Sequence, residues 1–90
     1  MQIIFGFKEK DNKGRHSNDL SLPVIGWREV IGALKKRRFY PARQKGSHII
    51  VENGQGLWTS IPRKDELGKG LLLSIIKDCG LTKQEFLKLL

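Results

Sequence analysis

A histidine follows a glycine and a serine at Gly46-Ser47-His48, just after the cations Arg43 and Lys45 and just before the apolar run Ile49-Ile50-Val51. An imidazole takes and gives protons near neutral pH. Cations beside it attract phosphate. Together these groups can cut RNA. The 2′-hydroxyl of the RNA attacks the adjacent phosphate, a base removes its proton, and nearby positive charge stabilises the phosphoryl oxygens. In this reading His48 is the general acid/base, and Arg43, Lys45 and Lys64 hold the phosphate. Gly46 permits close backbone approach or a tight turn, and Ser47 can donate a hydrogen bond to phosphate. Trp58 offers a surface on which a base can stack. The second proton-transfer group stays open among Lys45, Tyr40 and Ser47. The competing reading makes His48 a strand-surface residue that only binds phosphate or a partner, Lys45-Gly46 a simple hairpin turn, and Trp58 an anchor for another protein.

The elements that must position these groups can be read from periodicity. Trp27, Val30, Ile31 and Leu34 recur at i, i+3, i+4 and i+7, which predicts a helix packed on one face, with Arg28, Glu29, Lys35 and Lys36 opposite. The run Lys35-Lys36-Arg37-Arg38 closes it, where cations suit the negative end of the helix dipole. Three strands are predicted next, over 39–44, 47–52 and 57–61. Pro41 confines the first to a sheet edge. Asn53-Gly54-Gln55-Gly56 reads as a hairpin turn. A three-residue or bulged loop there puts Ile49, Val51, Leu57 and Ile61 on the buried face, leaving His48, Ile50, Trp58 and Ser60 on the open one. We therefore expect a bulge at that turn. Leu72, Ile75, Ile76 and Cys79 predict a second helix stopped by Gly80. Thr82 and Glu85 have capping-box spacing, and Leu81 with Phe86 fits a hydrophobic staple, so a short last helix starts at Lys83. The expected fold is α+β: a helix, a three-stranded antiparallel sheet with one face covered, then helices.

Size and charge narrow the class. Ninety residues make one small domain with a modest core. Of 17 Lys and Arg and 9 Asp and Glu, residues 21–64 hold nine basic and two acidic side chains, so nearly all of the +8 net charge lies around His48. Such clustering favours a polyanionic partner, nucleic acid above all. The one cysteine, Cys79, excludes an internal disulfide and a cysteine-based zinc cluster, and its apolar helical position reads as core. No metal or cofactor is expected. No apolar run approaches membrane-spanning length, and Ile3-Ile4-Phe5-Gly6-Phe7 lacks the basic flank of a signal peptide, so the expected location is the cytoplasm with no membrane contact. Residues 1–20 show no period of either kind and read as a flexible N-terminal extension, in which His16 is expected to be solvated. The compact domain is expected over 21–90.

Leu22-Pro23-Val24-Ile25, Val30, Leu34, Phe39, the segment Arg43-Gln44-Lys45-Gly46-Ser47-His48, Ile61-Pro62, Lys69 to Ile75, Gly80-Leu81 and Glu85-Phe86 resemble the HicA toxin family over residues 21–90. The resemblance implies a double-stranded-RNA-binding-like domain that cleaves mRNA as the toxin of a type II toxin–antitoxin system. It also implies a HicB-type antitoxin partner and a catalytic histidine at His48. Two positions depart from the family pattern. Lys64 stands where members commonly carry a second histidine, and Gly26 where a serine often caps the first helix. The rival expectation is a non-catalytic RNA-binding module of the same fold, or an inactive toxin that only binds its antitoxin.

Overall fold

A computed structural model describes residues 22–90. The expected N-terminal extension over 1–20, and His16 within it, lie outside the described residues. The element order is α1 (Trp27–Lys35), β1 (Tyr40–Lys45), β2 (His48–Glu52), β3 (Trp58–Pro62), α2 (Lys69–Asp78) and α3 (Lys83–Leu87). The strands form one antiparallel sheet in the order β1-β2-β3, with β1 and its Pro41 at an edge as the proline requires. Each strand lies within a residue or so of its expected place.

Both helical stripes pack as their spacing predicts. Val30, Ile31 and Leu34 from α1 join Leu72, Ile75 and Ile76 from α2 in one buried cluster with Val51 and Ile61 of the sheet. Gly80, at φ +72°, ends α2. Thr82 Oγ1 accepts from Glu85 N–H at 3.0 Å, while Glu85 Oε1 accepts from Thr82 N–H at 2.9 Å, completing the capping box of α3. That bond and the neighbouring Arg37 guanidinium hold the Glu85 carboxyl below its ordinary range. Cys79 is a buried core residue, and burial pushes its thiol up to about 12.

The β2–β3 register settles which residues face the helices. Val51 opposes Thr59, Ile49 opposes Ile61, Ile50 opposes Ser60 and His48 opposes Pro62. His48, Ile50, Trp58 and Ser60 therefore share the face away from the helices, as expected. The expected bulge at this turn is absent. The pairing is unbroken, and the connection over 53–57 is closed by Asn53 N–H donating to the Leu57 carbonyl at 3.1 Å. Asn53 Oδ1 accepts from the N–H groups of Gln55 and Leu57 as well. The odd number of connecting residues supplies the parity without a bulge. The irregularity lies instead in β1, where the register shifts between Pro41 and Arg43. A proline cannot donate to the ladder, so an extra residue beside it costs little pairing.

Two burial expectations are corrected. Leu57 stays 42 % exposed, because it belongs to the turn rather than to the strand. Ile50 is buried although it lies on the uncovered face, at the centre of the middle strand and apart from the main core cluster. Thr59, on the same face of the strand as Ile61, is fully buried, with its hydroxyl donating to Asp78 Oδ2 at 2.8 Å. A buried hydroxyl needs such a partner.

Candidate functional site

The site begins at a two-residue turn. Lys45 and His48 are cross-strand partners, so Gly46 and Ser47 alone join β1 to β2. Gly46 has φ +57° and Ser47 does not share its sign, the pattern of a type II′ turn, which wants glycine first. A Cβ on Gly46 would meet nothing within 4 Å. Backbone conformation, not crowding, is what requires glycine there. Gln44 Nε2 donates to the Gly46 carbonyl at 3.0 Å and braces the turn.

This turn carries His48 to the end of the middle strand, where the side chain is exposed. Lys45 flanks it on β1. Arg43, opposite Ile50, lies one pair further along the same face. Lys64 follows β3 just beyond Pro62, the partner of His48, and is exposed. His48, Lys45, Gly46, Ser47 and Lys64 thus gather at one end of the sheet, with Arg43 on the same face nearer its middle.

Trp58 and Tyr40 do not join them. Both lie on the open face, 57 % and 54 % exposed, but at the other end, opposite Glu52 on either side. Four residues of strand separate that end from His48, about 13 Å. Tyr40 is thereby out of reach as the second proton-transfer group, leaving Lys45 and Ser47. The basic run at the end of α1 is elsewhere too: Lys36 Nζ donates to the Leu89 carbonyl at 2.8 Å and Arg37 pairs with Glu85 at 3.8 Å.

Two cations at the His48 end escape sequence reasoning. Arg63 N–H donates to the Ser47 carbonyl at 2.8 Å, which fixes Arg63 beside the turn. Its guanidinium carbon lies 5.2 Å from the centroid of the Trp27 ring, and that of Arg28 lies 4.6 Å from the same ring. The loop after β3 is sewn to the start of α1 by Trp27 N–H donating to the Lys64 carbonyl at 3.0 Å and Leu67 N–H to the Ile25 carbonyl at 2.9 Å. Gly26 shows how tight the seam is. A Cβ there would stand 2.5 Å from the Asp65 carbonyl oxygen, so serine cannot occupy this helix entry without moving the loop. Glu29 supplies the other half of a capping box, its Oε1 accepting from Gly26 N–H at 3.1 Å, while no side chain caps the first-turn N–H groups. The sequence signal for Arg63 was its place next to Lys64; that for Arg28 was only its position on the polar side of α1.

Among the described residues the one ion pair is Arg37–Glu85, and no described carboxylate pairs with a cation near His48. The described residues contain no group of three His, Cys, Asp or Glu side chains placed to hold a metal ion. No helix among them is long and apolar enough to cross a membrane.

A family model described as HicA toxin of bacterial toxin-antitoxin matches residues 27–81, from the first residue of α1 to the one after Gly80. No curated protein matches the chain. The matched span takes in the whole sheet, both long helices and every residue gathered around His48. With a match over more than half its length, the chain belongs to the HicA toxin family of bacterial toxin–antitoxin systems.

Proposed function

We propose that this toxin-family protein is an mRNA endoribonuclease that works without a metal ion and uses His48 as its general acid/base. The observation that carries the reading is an exposed imidazole on the uncovered sheet face, beside Lys45 and within the cationic end of a chain of this family. His48 takes the proton from a ribose 2′-hydroxyl as that oxygen attacks the neighbouring phosphorus. The P–O5′ bond breaks, and the departing oxygen receives a proton from Lys45, Ser47 or solvent. The products are a 2′,3′-cyclic phosphate and a 5′-hydroxyl. Lys45, Arg43 and Lys64 stabilise the charge that builds on the non-bridging oxygens. Gly46 and Ser47 shape the turn against which the backbone rests. Trp58 is placed to stack a base further along the strand. Family membership implies a HicB-type antitoxin as protein partner.

Lys64, standing where relatives commonly carry histidine, favours a second reading: an RNA-binding module without chemistry, or a toxin that only occupies its antitoxin. One experiment separates them. Labelled RNA is incubated with wild-type protein and with His48→Ala, chelator present. Cleavage by wild type alone, leaving cyclic phosphate ends, is the expected result. Intact RNA held tightly by both proteins would establish the module instead, and full cleavage by folded His48→Ala would remove the histidine from the mechanism.

A further inference from the structure

The cationic end of the sheet does not stop at the open face. Pro62 is the cross-strand partner of His48, and the next residue, Arg63, turns to the α1 side of the sheet, where its guanidinium meets the Trp27 ring. Arg28 meets the same ring at 4.6 Å. Two guanidinium groups therefore converge on one half-buried indole. The ring's quadrupole holds each of them in place. It does not use their N–H donors, which among the described residues have no carboxylate partner and form a fork of the kind that grips phosphate in bidentate fashion. Lys64 adds a third cation at the seam, its carbonyl tied to Trp27 N–H. Ser47 ties Arg63 directly to the turn that carries His48.

We infer that Trp27, Arg28 and Arg63 form an RNA-phosphate clamp at the α1 end of the sheet, contiguous with the His48 turn. The clamp rests on the ribonuclease reading and deepens it: the RNA backbone passes around the end of the sheet, from the open face toward α1. The clamp holds the strand beside the scissile phosphate. Arg28 and Arg63 are binding residues that touch no reacting atom.

The test uses His48→Ala protein, so that the RNA stays intact while its affinity is measured across a range of salt concentrations. Adding Arg28→Gln and Arg63→Gln together should weaken binding several-fold. It should also reduce the slope of log affinity against log salt by about 0.7 to 1.4, the release expected for one or two single-strand phosphate contacts. Lys77→Gln on α2 should leave affinity and slope unchanged. In Trp58→Phe protein, where Trp27 is the one indole, RNA should change the fluorescence. Arg28→Lys with Arg63→Lys keeps the charge while losing the fork, and should recover the slope but only part of the affinity; thermal melts check that each variant is folded. An unchanged slope and affinity in the double glutamine variant would overturn the clamp while leaving the nuclease reading intact. Failure of His48→Ala protein to bind RNA at all, with wild type leaving the same RNA intact, would remove both.

Discussion

The open face of the sheet has two ends that differ in kind. At one end Lys45 and His48 flank a glycine turn with Lys64 beside it, and Arg63, Arg28 and Trp27 stand just behind on the α1 side. At the other, Tyr40 and Trp58 lie on either side of Glu52, with Leu57 exposed in the turn and Asp78 on the neighbouring helix. That second end forms a shallow recess of about 260 Å³ lined by Glu52, Gly54, Gly56, Leu57 and Trp58. The first end suits a polyanion: clustered cations attract phosphate over a long range and in a salt-dependent way. The second suits flat apolar surface, a base or a protein side chain, and its carboxylates repel phosphate. An imidazole is useful to RNA chemistry only at the first.

The largest expected effect tests whether chemistry is confined to the cationic end. His48→Ala should lower RNA cleavage by about 10²- to 10⁴-fold, the usual contribution of a positioned acid/base. Because the side chain is exposed, the melting temperature should barely move. Cleavage assays with a circular-dichroism melt check both halves. A variant that unfolds would show that His48 holds the fold, and a folded variant with wild-type rates would break the comparison.

Gly26→Ala attacks the same end through its scaffold. The new methyl meets the Asp65 carbonyl, and either the loop over 63–67 moves or α1 does. Overpacking of this kind costs about 1–3 kcal/mol. Denaturant unfolding should show the loss, and RNA affinity should fall with it because Arg63 and Lys64 ride on that loop. A variant as stable as wild type would mean that the seam is slack.

Trp58→Ala is the matching change at the far end. If a base stacks there, affinity for RNA should fall by about 1–3 kcal/mol. The salt slope should stay as it was, since no phosphate contact is lost. Loss of slope instead of affinity would mean that the two ends are not chemically distinct.

How much of this contrast was legible in the sequence depends on what each part requires. The helices were readable because a 3.6-residue stripe needs only local spacing: Val30, Ile31, Leu34 and Leu72, Ile75, Ile76 are all buried. The cap of α3 is equally local, running from Thr82 to Glu85. The face carrying His48 followed from strand parity, even though the turn that sets it is unbulged. The division of that face into ends was harder, because His48 and Trp58 share a face by parity but are separated by register, which comes from pairing. The Arg28–Trp27–Arg63 stack was not readable. It depends on the loop after β3 closing against α1, a long-range contact whose one trace in the sequence is a glycine where a cap is usual. The Thr59–Asp78 bond is hidden for the same reason.

The smallest effect probes whether the ends are coupled. Arg38 follows α1 with φ +68°, the one non-glycine residue with positive φ among those described. Its N–H donates to the Lys35 carbonyl at 3.0 Å and Phe39 N–H to the Leu34 carbonyl at 3.1 Å, the two bonds of a Schellman close. An arginine in that conformation costs about 1–2 kcal/mol, part of which glycine returns as entropy of the unfolded chain. Arg38→Gly should therefore raise stability by about 0.5–1 kcal/mol, measured by denaturant unfolding. Arg38 lines a recess with Tyr40, Pro41, Ala42 and Glu52, so the change relaxes the far end alone. Cleavage should not change, because the residues around His48 keep their turn, their register and their seam to α1. A shift in cleavage rate would mean that strain at the start of β1 is transmitted through the irregular stretch at Ala42 to Lys45, and that the sheet positions its two ends as one unit.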